Sequence, residues 1–429
     1  MSRFQIILIA IFAFFAVFGV FLFATFKGSG DNQQISVTMW GTMSEVDFLT
    51  WYNQTPTSKN QNISLSYVYK RPESFDQDFV EALADGRGPD IIFLPHEKIL
   101  EHQNRIYPIP YSSLSERNFR DLFIEGTEIF LGTDGIYALP LVVDPLVMYW
   151  NRDMFRNAGV AQTPMYWDEF PSLALKLVQR DVLKNITQSA VALGEYDNVY
   201  RARDIISVLL MQAGTPITQK SSHGVQSVLN SSFGFATLPA DAALTFYTQF
   251  ANPAKDIYTW NRSFPSSLVT FASGDLAILF GRASDLFAIQ ARNPNLNFDV
   301  APLPQPREVT NKMTYGYMEG LALVKQSKDL SGSYKVIQEL TSMDSIQALS
   351  DTLKLPPVRR DVLARRPTDA YRTVFYDSAL ISRAWLSPDP QATDSIFASM
   401  IDSITSGRLR MGEAIRAAHD ALNRALGYQ

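Results

Sequence analysis

The chain has 429 residues, a formal net charge of −5 at pH 7 and no cysteine. Without cysteine it can form neither a disulfide framework nor a thiolate metal site. The negative charge and the absence of any run of five Lys or Arg residues argue against a nucleic-acid partner. The length exceeds what one hydrophobic core usually serves, so two domains or lobes are expected.

The first feature in chain order is an apolar segment near the N-terminus. Residues 6–26 are apolar apart from Gly19 and Thr25, and a helix of this length spans roughly 30 Å, the thickness of a bilayer core. No small-residue cleavage pattern follows it. We therefore predict a transmembrane anchor at residues 4–27 and a polar linker at residues 28–34; the alternative is a long signal peptide that is removed.

The flanking charges set the expected location of the remaining chain. Arg3 and the amino terminus precede the apolar segment, and Lys27 follows it. The positive-inside tendency then places the N-terminus in the cytoplasm by a small margin. We therefore expect a single-pass protein of the cell membrane whose large domain lies outside the cytoplasm.

Strand and helix patterns alternate directly after the linker. Residues 35–39 alternate between apolar and polar side chains and predict a first strand. Ser74 and Gln77 have the spacing of a capping box, and Gly86 would end the helix that they begin. Residues 91–94 form a continuous apolar run, which is typical of a strand buried on both faces.

The same alternation continues along most of the chain. Residues 141–150 predict an extended segment, residues 170–177 a helix, and residues 276–280 and 321–324 two further buried strands. After Leu340 the pattern is almost entirely helical. Helices interleaved with buried strands indicate an α/β fold.

The sequence offers little sign of catalytic chemistry. His96 and Glu97 begin like a zinc-protease motif, but the next histidine is His102. Residues six apart lie roughly 240° from each other around a helix, so they cannot share a metal as residues four apart can. The nucleophile-elbow, phosphate-loop and dinucleotide-binding motifs are absent. We expect neither an enzyme nor a cofactor or metal site.

Several segments resemble one protein family in the same order. ALADGRGPDIIFL, at residues 82–94, is similar to the extracellular solute-binding proteins of ABC importers, family 1, which include maltose-binding protein. DGIYALP and DPLVMYWNRDMF, at residues 134–140 and 144–155, resemble a second stretch of that family. Shorter matches follow at residues 158–170, 271–304 and 406–415. The resemblance starts at Ile35 and reaches the C-terminus, whereas many members of the family lack the apolar segment before it.

This resemblance implies a type II-like periplasmic-binding-protein fold, in which two α/β lobes are linked by a hinge, preceded here by one transmembrane helix. The expected division is residues 35–142 with 304–342 for lobe 1 and residues 146–300 with 346–429 for lobe 2. The chain would cross between the lobes near residues 141–145, 300–304 and 340–346. A protein of this kind performs no chemistry and closes on its ligand like a hinge.

In such a fold the ligand lies in the cleft between the lobes, near the ends of strands. The family's sugar binders use aromatic faces, carboxylates and arginines, because sugar C–H faces are apolar and sugar hydroxyls form hydrogen bonds. The candidate ligand-binding residues are Trp40, His96, Glu97, Tyr149, Trp150, Trp260, Arg282, Tyr317, Glu319 and Trp385. Tyr149 and Trp150 point in opposite directions from a strand, so one is expected in the core. Trp260 and Trp385 are also compatible with plain packing.

The function implied by the resemblance is an extracytoplasmic receptor that captures a carbohydrate-like solute and delivers it to the permease subunits of an ABC importer. Two alternatives stay open: a sensor of the same fold that signals to a membrane partner, and a receptor for a glycerol-phosphate-type ligand. Arg262, Arg282 or Lys312 could meet a phosphate in the second case. Neither the ligand nor the oligomeric state follows from the sequence.

Overall fold

The computed structural model of the protein describes residues 34–221, 224–308 and 311–427. Within these ranges, no helix has the length and apolar character that crossing a membrane requires. The predicted anchor at residues 4–27 and the predicted linker up to residue 33 lie outside the described residues.

The described part of the chain forms thirteen strands, numbered here in chain order. They are β1 Ile35–Gly41, β2 Ile63–Tyr69, β3 Ile91–Pro95, β4 Ile106–Tyr107, β5 Leu139–Asn151, β6 Gln179–Arg180, β7 Ile186–Val191, β8 Thr218–Ser221, β9 Gly224–Ser227, β10 Leu276–Arg282, β11 Phe298–Ala301, β12 Thr314–Val324 and β13 Ser382–Arg383.

Sixteen α-helices and five short 3₁₀ helices accompany these strands within the same ranges. The α-helices are α1 Glu45–Tyr52, α2 Phe75–Ala84, α3 Ile99–His102, α4 Glu116–Leu122, α5 Arg152–Asn157, α6 Phe170–Leu177, α7 Ala202–Gln212, α8 Pro239–Thr248, α9 Ser267–Ala272, α10 Asp285–Arg292, α11 Leu330–Leu340, α12 Met343–Leu353, α13 Arg360–Leu363, α14 Ala370–Leu380, α15 Pro390–Thr405 and α16 Met411–Ala425. The 3₁₀ helices are Thr57–Lys59, His96–Lys98, Glu125–Phe130, Trp167–Glu169 and Gln249–Ala251.

The α/β alternation predicted from the sequence is confirmed, with one local correction at α2. The helix begins directly after Ser74, but the Ser74 side chain caps no backbone N–H, because its backbone is itself close to helical. The Gln77 amide instead donates to Glu81, one turn further along, at 2.8 Å. The predicted capping box therefore gives the correct start of the helix, but its hydrogen bonds do not form. Gly86 follows the helix with a φ of 67°, which suits glycine.

Eleven strands form one mixed sheet, in the order β2-β1-β3-β12-β5-β10-β7-β6, with β4 and β13 paired to β12 and β11 paired to β5. Away from the centre of the sheet, β1 is parallel to β2 and β3, and β10 is parallel to β7, whereas the edge strand β6 is antiparallel to β7. The two long central strands, β5 and β12, run antiparallel to each other from Leu139 opposite Leu321 to Pro145 opposite Gly316. They join two parallel α/β halves into one molecule.

Each half has a hydrophobic core of its own. The first core includes Met39, Phe93 and Leu139. The second core includes Phe170 and Trp260. Short apolar strands and amphipathic helices supply both cores, as expected for a chain too long for one.

Strand β5 leaves the first core at Val143 and enters the second at Leu146. The other changes of core differ in position from the expected crossings. Tyr315 still packs in the second core and Met318 in the first, because β12 is one long strand that spans both halves.

The helical region beyond α11 also packs differently from the expected division. Ile346, Leu349 and Leu363 lie in the first core, whereas Phe375 lies in the second. Helix α14 lies at the boundary, since its Tyr376 faces the first core. Helices α12 and α13 therefore pack in the first half, whereas the expected division placed them in the second.

Gly126, in the 3₁₀ helix Glu125–Phe130, packs closely against the backbone of β13. A Cβ on Gly126 would lie 2.4 Å from the backbone oxygen of Ser382, so Gly126→Ala should lower the free energy of unfolding by about 1–3 kcal/mol. Gly412→Ala is the matched control, because a Cβ there meets nothing within 4 Å. Urea unfolding of the full chain measures both. Equal midpoints for Gly126→Ala and the wild type would contradict this account of the packing.

Candidate functional site

Polar side chains from both halves meet where the parallel strands end. Strand β3 ends at Pro95 and the next turn presents His96 and Glu97, while β10 ends at Arg282. Strand β12 passes between these ends. Because side chains alternate along a strand, Tyr315, Tyr317 and Glu319 share one face of β12, and the first two contact His96 on that face.

Glu97 is the meeting point of the two halves. Its carboxylate accepts hydrogen bonds from the Tyr315 hydroxyl at 2.7 Å and from Arg203 at 2.8 Å, and the Arg282 guanidinium lies 3.9 Å away. The residue is 7% exposed. Burial by itself would raise the pKa of Glu97, but the positive charges of Arg203 and Arg282 hold it below its ordinary value. A charged carboxylate thus binds the first half to Arg203 of α7.

Arg282 is fully buried and paired. Its guanidinium donates to both oxygens of Asp204, at 2.6 and 3.1 Å, and lies 4.4 Å from the centre of the Tyr317 ring. Burial disfavours the charged form, but Asp204 outweighs it and keeps the pKa of Arg282 above its ordinary value. The arrangement is a bidentate ion pair stacked on an aromatic face.

Two further acids surround this ion pair. Asp285 accepts from Arg201 at 2.7 Å and from the Arg282 backbone N–H at 2.7 Å. Asp144, on β5, accepts from the Ser284 hydroxyl at 2.6 Å, and burial raises its pKa. We call the set Glu97, Arg201, Arg203, Asp204, Arg282 and Asp285 the arginine–carboxylate cluster.

His96 and Glu319 complete the site. The Met318 N–H lies 3.2 Å from His96 Nδ1, and the Tyr315 hydroxyl lies 3.2 Å from His96 Nε2. His96 Nδ1 also lies 3.3 Å from the Met318 backbone oxygen, and the Tyr315 hydroxyl donates its proton to Glu97. Burial lowers the pKa of His96 to about 4, so the ring is neutral at neutral pH. Glu319 accepts from the Tyr317 hydroxyl at 3.1 Å, and burial raises its pKa.

A small cavity lies beside the cluster. Its volume is about 160 Å³, and its walls include Glu97 from the first half, Pro390 from the second, and Tyr317 of β12, which packs against the second core. Pro390 begins α15, which packs in the second core. A polar solute in this space would therefore touch both halves, with carboxylate, hydroxyl and aromatic groups around it.

The structure brings five of the predicted binding residues together: His96, Glu97, Arg282, Tyr317 and Glu319. Tyr149 lies beneath them, fully buried, and its hydroxyl donates to the Arg282 backbone oxygen at 2.7 Å. It is the core member of the Tyr149–Trp150 pair. Trp150 is half-buried and packs against Phe155, with ring centres 5.0 Å apart.

The other three predicted tryptophans lie elsewhere. Trp40 is buried, with the Lys70 ammonium 4.0 Å from its ring centre. Trp260 is fully buried in the second core and stacks on a neighbouring phenylalanine at 4.5 Å. Trp385 donates to the Ser207 hydroxyl at 3.0 Å and lines a different cavity. The ten residues therefore do not form one surface.

Sequence reasoning missed Arg203, Asp204 and Asp285. Arg203 and Asp204 lie in the first turn of α7, and the order Arg-Ala-Arg-Asp at residues 201–204 places three charges there. That run was a usable signal, because charges in a helix that is otherwise buried need partners. Nothing in the sequence indicated that the partners would be Glu97 and Arg282, which are distant in the chain.

One group of acids and a histidine has the spacing of a metal site. The ligand atoms of Asp76, Glu101 and His102 lie within 4.8 Å of one another. The Lys98 ammonium donates to both carboxylates, at 2.6 and 2.7 Å. A cation already neutralises these acids, so the group is better described as a lysine-centred ion-pair network.

The two halves, the two crossing strands and the charged cleft define a two-lobed ligand-binding protein. A model of the family described as bacterial extracellular solute-binding proteins matches residues 53–375. The chain belongs to this family, whose description places the binding domain outside the cytoplasm.

Two sequence relatives are binding proteins of Brucella abortus (strain 2308) and Brucella suis biovar 1 (strain 1330). Each is 21% identical to this chain over 291 residues, which cover 67% of the chain and 66% of the relative. The chain thus spans slightly less than two thirds of these relatives' length.

Solved structures share the fold. A cyclo/maltodextrin-binding protein complexed with maltotetraose has a TM-score of 0.74 and 15% identity, over 93% of this chain and 98% of that one. A cyclic α-maltosyl-1,6-maltose-binding protein from Arthrobacter globiformis has a TM-score of 0.75 and 16% identity, over 91% and 99%. An ABC substrate-binding protein from Listeria monocytogenes in complex with cycloalternan has a TM-score of 0.67 and 15% identity, over 92% and 100%. The two-lobed α/β fold is confirmed.

The buried state of His96 predicts a pH dependence of stability. The unfolded chain takes up a proton at this residue below about 6.5, whereas the folded protein does so only near pH 4. Stability is therefore lost as the pH falls through this window, by about 3 kcal/mol at this one site.

His96→Asn should remove this dependence, because the amide is neutral and keeps hydrogen-bonding capacity. Between pH 7 and pH 4 the wild type should lose about 3 kcal/mol more than the variant. Urea unfolding at several pH values measures both proteins. Parallel curves would show that His96 is protonated in the folded state at the same pH as in the unfolded chain.

Proposed function

We propose that this protein captures a carbohydrate in the cleft between its lobes, closes on it as a hinge and delivers it to the permease subunits of an ABC importer. The observation that carries the proposal is the Glu97–Arg203 contact, in which a buried carboxylate of one half meets a guanidinium of the other at 2.8 Å. The same cleft face carries the hydroxyls and rings of Tyr315 and Tyr317. Family membership and the shared fold support this reading.

The charge balance of the cleft favours a neutral polyhydroxylated ligand over an anion. Five carboxylates surround the site, on Glu97, Asp144, Asp204, Asp285 and Glu319. Three guanidiniums face them, on Arg201, Arg203 and Arg282. A phosphate would meet this excess of acids and compete for arginines that are already paired. A glycerol-phosphate-type ligand is therefore the weaker alternative.

The ligand contacts in this proposal come from His96, Glu97, Arg282, Tyr317 and Glu319. Carboxylates and the paired guanidinium would bind sugar hydroxyls, and the Tyr317 ring would face the apolar side of a pyranose. Two proteins of the same fold, the cyclo/maltodextrin-binding protein complexed with maltotetraose and the cyclic α-maltosyl-1,6-maltose-binding protein, take ligands of this class, which supports these roles.

For the lobes, we propose residues 35–143 with 318–363 as one unit and residues 146–315 with 375–427 as the other. Hinge motion would then occur at residues 144–145 of β5 and 316–317 of β12, where each strand passes from one core to the other. Rotation there would leave each core intact and would separate the groups that meet at the arginine–carboxylate cluster.

The apolar N-terminal segment supports a membrane-anchored form of the receptor. With an anchor at residues 4–27 and a linker at residues 28–34, the start of the body would lie within ~25 Å of the bilayer. Tethering raises the effective concentration for a weak contact with the permease. A sensor that passes its ligand state to a membrane partner would use the same anchor and is the second candidate.

Ligand binding by the full chain can be tested by thermal shift with maltotetraose, mannobiose, tagatose and glycerophosphocholine. A sugar at 100 times its dissociation constant should stabilise the protein by about 2.7 kcal/mol, and small-angle scattering should show a smaller radius of gyration. Tyr317→Ala should bind that sugar about tenfold more weakly.

Tyr166→Ala is the matched control, because Arg307 lies 4.3 Å from its ring centre, much as Arg282 lies over Tyr317. The control should bind like the wild type. A shift with glycerophosphocholine alone would contradict the carbohydrate assignment, and equal affinities for both variants would contradict the placement of the site.

Anchoring can be tested by fractionation. The full chain should remain with the membranes after an alkaline wash, whereas a fragment cut at Gly30 should be soluble and keep its ligand affinity. Mass spectrometry of the mature N-terminus gives a second readout. A mature chain that starts near Gly28 would show that the apolar segment is a signal peptide.

A further inference from the structure

A second cavity, larger than the one beside the arginine–carboxylate cluster, lies elsewhere between the two halves. Its volume is about 510 Å³. Apolar walls come from Ile129 on one side and from Met211, Met313 and Trp385 on the other. Ile129 packs against the first core, and Met211 and Trp385 belong to the second. We call this cavity the Trp385 chamber.

The Trp385 chamber lies on the opposite face of β12 from the cleft. Tyr317 faces Arg282, whereas the next residue, Met318, faces away: its methyl group would lie 3.4 Å from a Cβ on Gly126, which lines the chamber. Helix α7 runs between the two places. Its first turn carries Arg203, and Met211 lies near its end, about 12 Å further along. The chamber and the cleft are therefore separate spaces.

Among the described residues at the rim of the chamber, Lys220 is a cation that forms no ion pair with a carboxylate. Glu125 pairs with Arg383 at 2.5 Å, and Glu128 pairs with Arg120. Among the described residues, the Lys220 ammonium has a single acceptor, the Leu131 backbone oxygen at 2.6 Å. Partial burial lowers the pKa of Lys220. The ammonium group of Lys220 can therefore donate hydrogen bonds to a ligand whose apolar part lies against Met211, Met313 and Trp385.

We propose that the Trp385 chamber is a second small-molecule site, for an organic anion with a flat apolar body. The carboxylate would accept from Lys220, and the body would lie against Trp385 and Met211. Since the walls come from both halves, the bound molecule would contact both. The proposal does not depend on which solute the cleft binds.

Calorimetry of the full chain in detergent solution, against a detergent-matched blank, tests this with two probes of one shape, naphthoate and naphthylmethanol. Naphthoate should bind about tenfold more tightly, because only its carboxylate forms a charge-assisted hydrogen bond with Lys220. Lys220→Met should remove the preference. The control Lys335→Met changes an exposed lysine of α11 and should keep it.

Ile129→Trp, which fills the chamber from its wall, should weaken both probes and is a second test should Lys220→Met unfold. Melting curves of all variants establish that they are folded. The proposal is overturned if naphthoate does not bind the wild type at millimolar concentration. It is equally overturned if Lys220→Met retains the full preference, or if Ile129→Trp binds both probes unchanged.

Discussion

The structure depends on the pairing of buried arginines. The Arg282 side chain is only 8% exposed, and the Arg203 side chain is 16% exposed. Removing such charges from water costs several kcal/mol each unless they are paired and hydrogen-bonded. The partners, Asp204 and Glu97, come from α7 and from the turn after β3. Satisfying these charges therefore requires that elements of both halves come together at one place.

This requirement explains why the two halves meet at the arginine–carboxylate cluster. Glu97 from the first half meets Arg203 from the second, and the Tyr315 hydroxyl lies between the halves as a further donor to Glu97. A solute that enters the cleft must supply hydrogen bonds to the groups that it separates. Hydroxyl-rich molecules can do this because each hydroxyl both donates and accepts.

Strand β12 gives the molecule two different faces between its halves. One face of β12 is directed toward the cleft and carries the side chains of Tyr315, Tyr317 and Glu319. The side chain of Met318 lies on the opposite face. This difference arises because successive side chains along a strand point to opposite faces of the sheet. One face of the strand therefore contributes to the charged cleft, and the other faces the side of the molecule where the Trp385 chamber lies.

Much of the fold follows from local pattern. Apolar runs such as residues 91–94 and 276–280 become strands that are buried on both faces of the sheet, because every side chain in them is apolar. The order of the family-like segments predicted two lobes. The crossings were less predictable. The sequence pattern placed one near residues 300–304, yet the change of core occurs at 316–317, because strand pairing between β5 and β12 decides it and pairing is a long-range property.

The sequence by itself determined the α/β class, the family resemblance and five of the residues that meet in the cleft, because strand ends and residue types are local information. Only the tertiary structure decided which aromatic side chains reach that space. Trp260 and Trp385 have the same local appearance as cleft residues, but their rings pack elsewhere. It also decided that Glu97 pairs with Arg203, more than a hundred positions away, since such a contact exists only when two separately formed halves dock.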